Sequence, residues 1–98
     1  MDIRKAEENG KLTIALIGRV DTVTAPELEK ELKADYEAID SLVMDFAEVE
    51  YISSAGLRVL LSAHKAMNKK GGMKLKNVND DVMEIFDVTG FSDILTIE

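Results

Sequence analysis

The sequence predicts an α/β domain built on a mixed β-sheet, and three observations carry this prediction. Segments with the alternating apolar pattern of strands and segments with helical apolar spacing follow one another in the order β-β-α-β-α-β-α-β. Helices between successive strands favour parallel pairing, because a parallel connection must cross over the sheet. Asn9-Gly10 is a strong hairpin-turn dipeptide, so residues 2–8 and 11–18 are predicted to pair as an antiparallel edge hairpin. At 98 residues the chain is expected to form one domain, residues 1–98.

The first helix is predicted to begin at Thr24. Its side chain and that of Glu27 have the spacing of a capping box, in which each satisfies a backbone N–H at the helix start. Val23 and Leu28 have the spacing of a hydrophobic staple across the same start. The apolar side of this helix is predicted to consist of Leu28, Leu32, Tyr36 and Ile39.

The second half of the chain repeats the alternation of strand and helix. The second helix is predicted to end at Gly71 or Gly72, and the third to cover residues 80–88 between an Asn79 N-cap and a Gly90 stop. The inward side of the second helix is predicted to be Leu57, Leu60, Leu61, His64 and Met67. Strands, the last of them short, are predicted over residues 41–49, 73–78 and 93–98.

The composition excludes several classes of function. Twelve Lys and Arg against 19 Asp and Glu give a net charge of −7, which repels a nucleic-acid backbone. There is no cysteine, which fits a reducing compartment, and no run of about 18 apolar residues that could insert into a membrane. We therefore expect a cytoplasmic protein, monomeric, with no direct nucleic-acid contact.

Few residues have the chemistry for catalysis. Ser54 precedes Gly56 by two positions, as in a nucleophile elbow, but Ile52 stands where that elbow needs its first glycine. The single histidine, His64, follows ten residues later on the same predicted helix, about 15 Å of helical rise away. Asp45 on a strand suggests a receiver-type phosphoacceptor, but the paired acids of a magnesium site are missing. We predict no enzymatic activity, no metal site and no cofactor.

The adjacent pair Ser53-Ser54 suggests a serine that is modified rather than one that catalyses. Capping alone is enough to explain a single serine before a helix. Here there are two adjacent serines, so one can cap the helix while the hydroxyl of the other stays free. A phosphate on the free serine would add about −1.5 to −2 charges to the surface. Gly56 lowers helix propensity, which suggests a surface where another group approaches the backbone closely.

The start of the second helix resembles the phosphorylation-site loop of bacterial anti-sigma factor antagonists, the STAS domain family, through the segment YISSAGLRVLL. Two further segments resemble this family: IALIGRVDTVTAPELEKEL, its second strand and first helix, and VMEIFDVTGFSDILTI, its last helix and terminal strand. The resemblance covers nearly the whole chain. It implies the STAS fold, a mixed sheet of about four to five strands with the helices packed mainly on one face.

The resemblance also implies a mechanism of partner switching. The unphosphorylated protein binds an anti-sigma factor that is itself an ATP-dependent serine kinase; phosphorylation releases it, and a PPM-type serine phosphatase resets it. By alignment of the motif, Ser54 is the phosphoacceptor. The implied partner-binding residues are Asp21, Ser53, Gly56 and Leu57.

Two positions depart from the family pattern, and one alternative function is open. Ser53 stands where the family often has Asp, and Ala55 where it often has Ser or Thr. The departure at Ser53 leaves the identity of the kinase open. In the alternative, the same fold is a subunit of a membrane transport assembly that docks on its ATPase, and Ser54 is not modified.

Overall fold

A computed structural model describes residues 1–98 as a five-stranded sheet with three α-helices. The strands are β1 (Asp2–Glu8), β2 (Lys11–Val20), β3 (Ser41–Ile52), β4 (Met73–Lys76) and β5 (Thr96–Ile97). The helices are α1 (Ala25–Asp35), α2 (Ser54–Met67) and α3 (Asp80–Thr89), followed by a 3₁₀ turn over Phe91–Asp93. None of the helices is long and apolar enough to cross a membrane.

The strands lie in the sheet in the order in which they occur in the chain, β1-β2-β3-β4-β5. β1 pairs antiparallel with β2, and all other pairs are parallel, so the predicted mixed sheet with an edge hairpin is confirmed. The hairpin turns at Asn9 and Gly10, whose φ values of 52° and 83° are the positive angles that this turn requires. Lys5 on β1 contacts Glu31 and Asp35 of α1 at 2.6 and 2.7 Å and ties the edge strand to the helix layer.

The helices cover one face of the sheet. Each parallel connection moves one strand further in the same direction, and right-handed crossovers then place their helices on the same side. One core results, in which the rings of Phe46 on β3 and Phe86 on α3 lie 6.1 Å apart. The sheet contributes the following fully or almost fully buried side chains: Leu12, Ile14, Leu16, Leu42, Met44, Phe46, Met73 and Leu75. The predicted arrangement of helices on one face is confirmed.

Some boundaries differ from those predicted. β3 runs three residues further than expected, to Ile52, and so leads directly into α2. α2 ends earlier, at Met67, and Gly72 takes the left-handed conformation (φ 88°) with its N–H donating to the Met67 carbonyl. The predicted start and stop of α3 are confirmed: the Asn79 side chain accepts from the Val82 N–H, and Gly90 is left-handed.

Candidate functional site

The predicted site residues come together at the carboxyl ends of β2 and β3. Val20 is paired with Ile52, so the segments that begin at Asp21 and Ser53 leave the sheet side by side. The Ser53 N–H donates to the Val20 carbonyl at 2.8 Å and fastens the two segments together. In this way a parallel pair of strands brings residues 32 positions apart to one edge of the sheet.

The two serines divide the roles of cap and free hydroxyl as predicted. Ser53 is the N-cap of α2, with extended backbone, and its hydroxyl accepts from the Gly56 N–H at 3.4 Å. Ser54 is the first residue of the helix and is exposed, and its hydroxyl has no hydrogen-bond partner in the protein. An Asp in place of Ser53 could make the same cap, because a carboxylate also accepts from a backbone N–H. The departure at position 53 therefore preserves the geometry that frees Ser54.

Gly56 and Leu57 are buried residues in the first turn of α2, directly after Ser54 and Ala55. Gly56 is buried, and a Cβ there would lie 2.7 Å from Ile52 Cγ1 and 2.8 Å from Val20 Cγ1. Leu57 is only 6% exposed and belongs to the core. The prediction that Leu57 faces inward is confirmed, whereas the prediction that Gly56 lies at a surface approached by another group is wrong. The group that approaches the Gly56 backbone closely is the end of the sheet, so glycine is needed there for internal packing.

The turn before α1 is built by Asp21 and Thr24. Asp21 Oδ1 accepts from the N–H groups of Val23 and Thr24 at 3.0 and 3.1 Å. In return, Thr24 Oγ1 accepts from the Asp21 N–H at 2.8 Å. This reciprocal pair is a capping box of the D-x-x-T form, one turn earlier than predicted.

The predicted capping box between Thr24 and Glu27 is wrong, since the Thr24 side chain makes no cap hydrogen bond to α1. Its hydroxyl is engaged with the Asp21 N–H and the Arg19 carbonyl instead. The predicted staple is also wrong, because Val23 lies within the turn and is 84% exposed. The turn therefore presents an apolar side chain to solvent next to Asp21. The spacing of D-T-V-T is the signal that could have revealed this turn.

Electrostatically, the turn carries an anion beside a stacked cation. Hydrogen bonds from the backbone N–H of Thr24 and then of Val23 hold the pKa of the Asp21 carboxyl below its usual value, and Arg19 at 3.7 Å acts in the same direction. The Arg19 guanidinium lies 4.5 Å from the centre of the Tyr51 ring. Arg19 and Tyr51 were not predicted as site residues. Their juxtaposition comes from the pairing of β2 with β3, which no local sequence pattern reveals.

A groove of about 380 Å³ runs between α1 and α2, and Ala55, the residue after Ser54, is one of its lining residues. Charged side chains stand on both of its walls, Glu29 on α1 and Arg58 on α2. The other lining residues are Thr22, Ala25, Pro26, Val59 and Ser62. The groove is open to solvent and adjoins the two helix starts, so it extends the surface around Ser54.

The arrangement offers Ser54 no partner for nucleophilic catalysis. His64 lies ten residues further along the same helix, half-buried, with Nδ1 enclosed and unbonded. Asp45 accepts hydrogen bonds from the Ala47 N–H at 3.0 Å and from Asn77 Nδ2 at 3.1 Å, and the first of these chiefly lowers its pKa. No three histidine or acidic side chains gather in the geometry of a metal site. What the site presents is an exposed serine hydroxyl at the start of α2.

Comparison with known proteins gives a consistent result over almost the whole chain. The family model of the STAS domain matches residues 2–98. The anti-sigma-B factor antagonist of Bacillus subtilis (strain 168) is 33% identical over 98 residues, which are 99% of this chain and 88% of that protein.

Solved structures share the fold. An anti-sigma factor antagonist from Mycobacterium paratuberculosis superposes with a TM-score of 0.88 at 24% identity, covering 98% of this chain and 83% of that one. The Bacillus cell fate determinant SpoIIAA in its phosphorylated form gives a TM-score of 0.77 at 14% identity, covering 99% and 91%.

Proposed function

The chain belongs to the STAS domain family, and from this premise we propose that it is an anti-sigma factor antagonist whose binding is switched by phosphorylation of Ser54. The unphosphorylated protein binds an anti-sigma factor through the surface around Ser54. Phosphorylation releases it, and the released anti-sigma factor is free to capture its sigma factor. The protein itself is a binding regulator and not an enzyme, in keeping with its antagonist relatives.

One observation carries the proposal: Ser53 makes the cap of α2, so that the exposed Ser54 hydroxyl is left unbonded. A serine whose hydroxyl caps a helix would lose that hydrogen bond on phosphorylation. Ser54 loses nothing, because it serves no structural role that a phosphate would remove. The core beneath it, formed in part by Leu57, stays packed in both states.

The phosphoryl transfer must be catalysed by the partner. The Ser54 Oγ attacks the γ-phosphorus of ATP, the bond from that phosphorus to the β–γ bridging oxygen breaks, and ADP leaves. The hydroxyl proton passes to a base of the kinase, since His64 is too distant to accept it. We therefore propose an anti-sigma factor serine kinase as the binding partner, and a PPM-type serine phosphatase, which hydrolyses the phosphoserine with water, as the resetting enzyme.

The release follows from charge. A partner complementary to a neutral hydroxyl meets about −1.5 to −2 charges after phosphorylation, and a buried charge without a counter-ion is costly at an interface. Asp21, already anionic beside Ser53, lies on the same surface, and its contact with the partner is part of this proposal. Gly56 and Leu57 contribute by positioning Ser54, since both are buried.

The test is phosphorylation by the anti-sigma factor kinase with ATP, followed by mass spectrometry of the intact protein. We expect one added phosphate, its absence in Ser54→Ala, and its persistence in the matched control Ser53→Ala. Ser54→Asp should weaken binding to the kinase while its circular dichroism stays that of the wild type. A protein that stays unmodified, or that is still modified in Ser54→Ala, would show that the switch is not at Ser54.

The same variants address the alternative, a subunit of a membrane transport assembly. In that function the surface would bind an ATPase without modification, and Ser54→Ala would behave as the wild type throughout. No contact in the structure favours this alternative over the first function.

A further inference from the structure

Arg58 lies about one helical turn after Ser54 on α2. It follows Ser54 by four residues on α2, and both side chains are exposed. Residues four apart lie on the same side of a helix, about 5 to 6 Å between their Cβ atoms. The Arg58 guanidinium takes part in none of the protein's four ion-pair contacts, so it is free to receive an anion.

We propose that Arg58 binds the phosphate of phosphorylated Ser54 and holds it in a fixed position on α2. The proposal rests on the proposed function, because it concerns the modified state of the same serine. An anion placed four residues before a cation is the favourable orientation of a helical ion pair. The planar guanidinium can also donate two parallel hydrogen bonds to phosphate oxygens, which a lysine cannot.

The surrounding charges leave Arg58 as the available cation. At the end of β2, Arg19 is occupied by Asp21 and by the Tyr51 ring. On α1, Glu29 lines the groove opposite Arg58 but pairs with Lys33 at 2.9 Å.

On β3, Glu50 is exposed and adds another negative charge near this end of the sheet. Glu50 is not in any ion pair, so its carboxylate repels a phosphate, whereas the unpaired Arg58 guanidinium attracts it.

The ion pair would change the shape of the surface as well as its charge. Arg58 lines the groove between α1 and α2, so a phosphate bound to it stands at the entrance of that groove. The phosphorylated protein then presents a fixed obstruction where the unphosphorylated protein presents an opening. Arg58 is thus a positioning residue for the phosphate.

The experiment uses the full chain with phosphoserine incorporated at position 54 by genetic code expansion, so that no kinase is needed. The second pKa of a phosphoserine, about 6, is followed by ³¹P NMR titration. A nearby guanidinium favours the dianion and lowers this pKa, so Arg58→Gln is expected to raise it by about 0.3 pH units. Arg58→Lys keeps the charge but cannot donate two parallel hydrogen bonds, so it should restore only part of the difference, and the difference should shrink at 1 M salt.

The matched control is Lys65→Gln, which makes the same change of net charge on α2 about 16 Å of helical rise from Ser54. It should leave the titration unchanged. If Arg58→Gln and Lys65→Gln give the same pKa, Arg58 does not hold the phosphate. That result would not affect the proposed function, which stands or falls on modification of Ser54 by the kinase. Circular dichroism of each variant checks that the exposed substitutions leave the fold intact.

Discussion

The starts of α2 and α3 are built alike but used differently. Both follow an extended N-cap residue, Ser53 or Asn79, whose side chain accepts from the backbone N–H three residues later. In α3 this bond is 2.8 Å, and the Asn79 amide also donates to the Val49 carbonyl at 2.8 Å. In α2 the corresponding bond is 3.4 Å, and the Ser53 side chain makes no second hydrogen bond.

The first turns differ in charge as well. α3 begins with two acids, Asp80 and Asp81, whereas the first turn of α2 has none. Unpaired N–H groups and the helix dipole favour negative charge at a helix start. In α3 the two aspartates supply this negative charge. In α2 the first turn has no negative charge, and its first residue is an exposed serine. The difference agrees with the proposed phosphorylation of Ser54, which would add a negative charge to the first turn of α2.

The largest effect on stability is expected from Gly56→Val, which tests whether the start of α2 is held in fixed contact with the ends of β2 and β3. The new side chain would collide with Val20 and Ile52 in the core, so we expect a loss of about 3 kcal/mol in the free energy of unfolding. Chemical denaturation measures it, with Ser62→Val as the exposed control on the same helix. A loss below about 0.5 kcal/mol would mean that α2 can move away from the sheet.

Asn79→Ala should come next, because it removes both the cap of α3 and the bond to the Val49 carbonyl. We expect a loss of about 1 to 2 kcal/mol in the free energy of unfolding. Asn79→Asp is the informative control, since it keeps the cap and loses only the amide donor. If Asn79→Ala were neutral, α3 would not depend on its cap and the contrast with α2 would fail.

Ser53→Ala should cost less, about 0.5 kcal/mol, because the hydrogen bond it removes is long and single. Ser53→Asp should retain the stability of the wild type, since a carboxylate can make the same cap. Both values come from the same denaturation series as Asn79→Ala. If Ser53→Ala and Asn79→Ala lower the free energy of unfolding equally, the cap of α2 is not weaker than that of α3.

Ser54→Asp should make the α2 start resemble that of α3. A negative charge in the first turn is expected to raise the free energy of unfolding by about 0.3 to 0.5 kcal/mol at low salt. Asp81→Asn in α3 is the reciprocal change and should lower it by a similar amount. If Ser54→Asp is destabilising, repulsion from nearby acidic side chains exceeds the attraction of the helix N-terminus for negative charge. Phosphorylation of Ser54 would then also destabilise the fold.

Much of this arrangement could be predicted from the sequence, for identifiable reasons. Apolar periodicity predicted the strands and helices, Asn9-Gly10 the hairpin, and Asn79 and Gly90 the limits of α3, because each is determined by local geometry. The resemblance of the segment around Ser54 to one family then located the candidate site.

What could not be predicted depends on contacts between distant segments. The burial of Gly56 follows from the ends of β2 and β3, and the stacking of Arg19 on Tyr51 from the pairing of those strands. The turn before α1 was assigned wrongly for another reason: two capping-box patterns, beginning at Asp21 and Thr24, overlap there. Both need the Thr24 N–H, and the earlier box has it.

The smallest effect concerns the charge of Asp21, the acid that neighbours the α2 start. Its folded pKa lies below the unfolded value of about 3.9, so its carboxylate adds stability that is present above that value and lost as the pH falls through the folded pKa. Asp21→Asn keeps an oxygen for the turn but removes the charge. The wild type should therefore be the more stable of the two at pH 7 and pH 5, with the difference shrinking from pH 4 to pH 3. Denaturation curves at these four pH values give the difference directly, and other titrating groups cancel between the two proteins. If the difference in stability between the wild type and Asp21→Asn does not depend on pH, the hydrogen-bond geometry of the turn stabilises the fold and the charge of Asp21 does not.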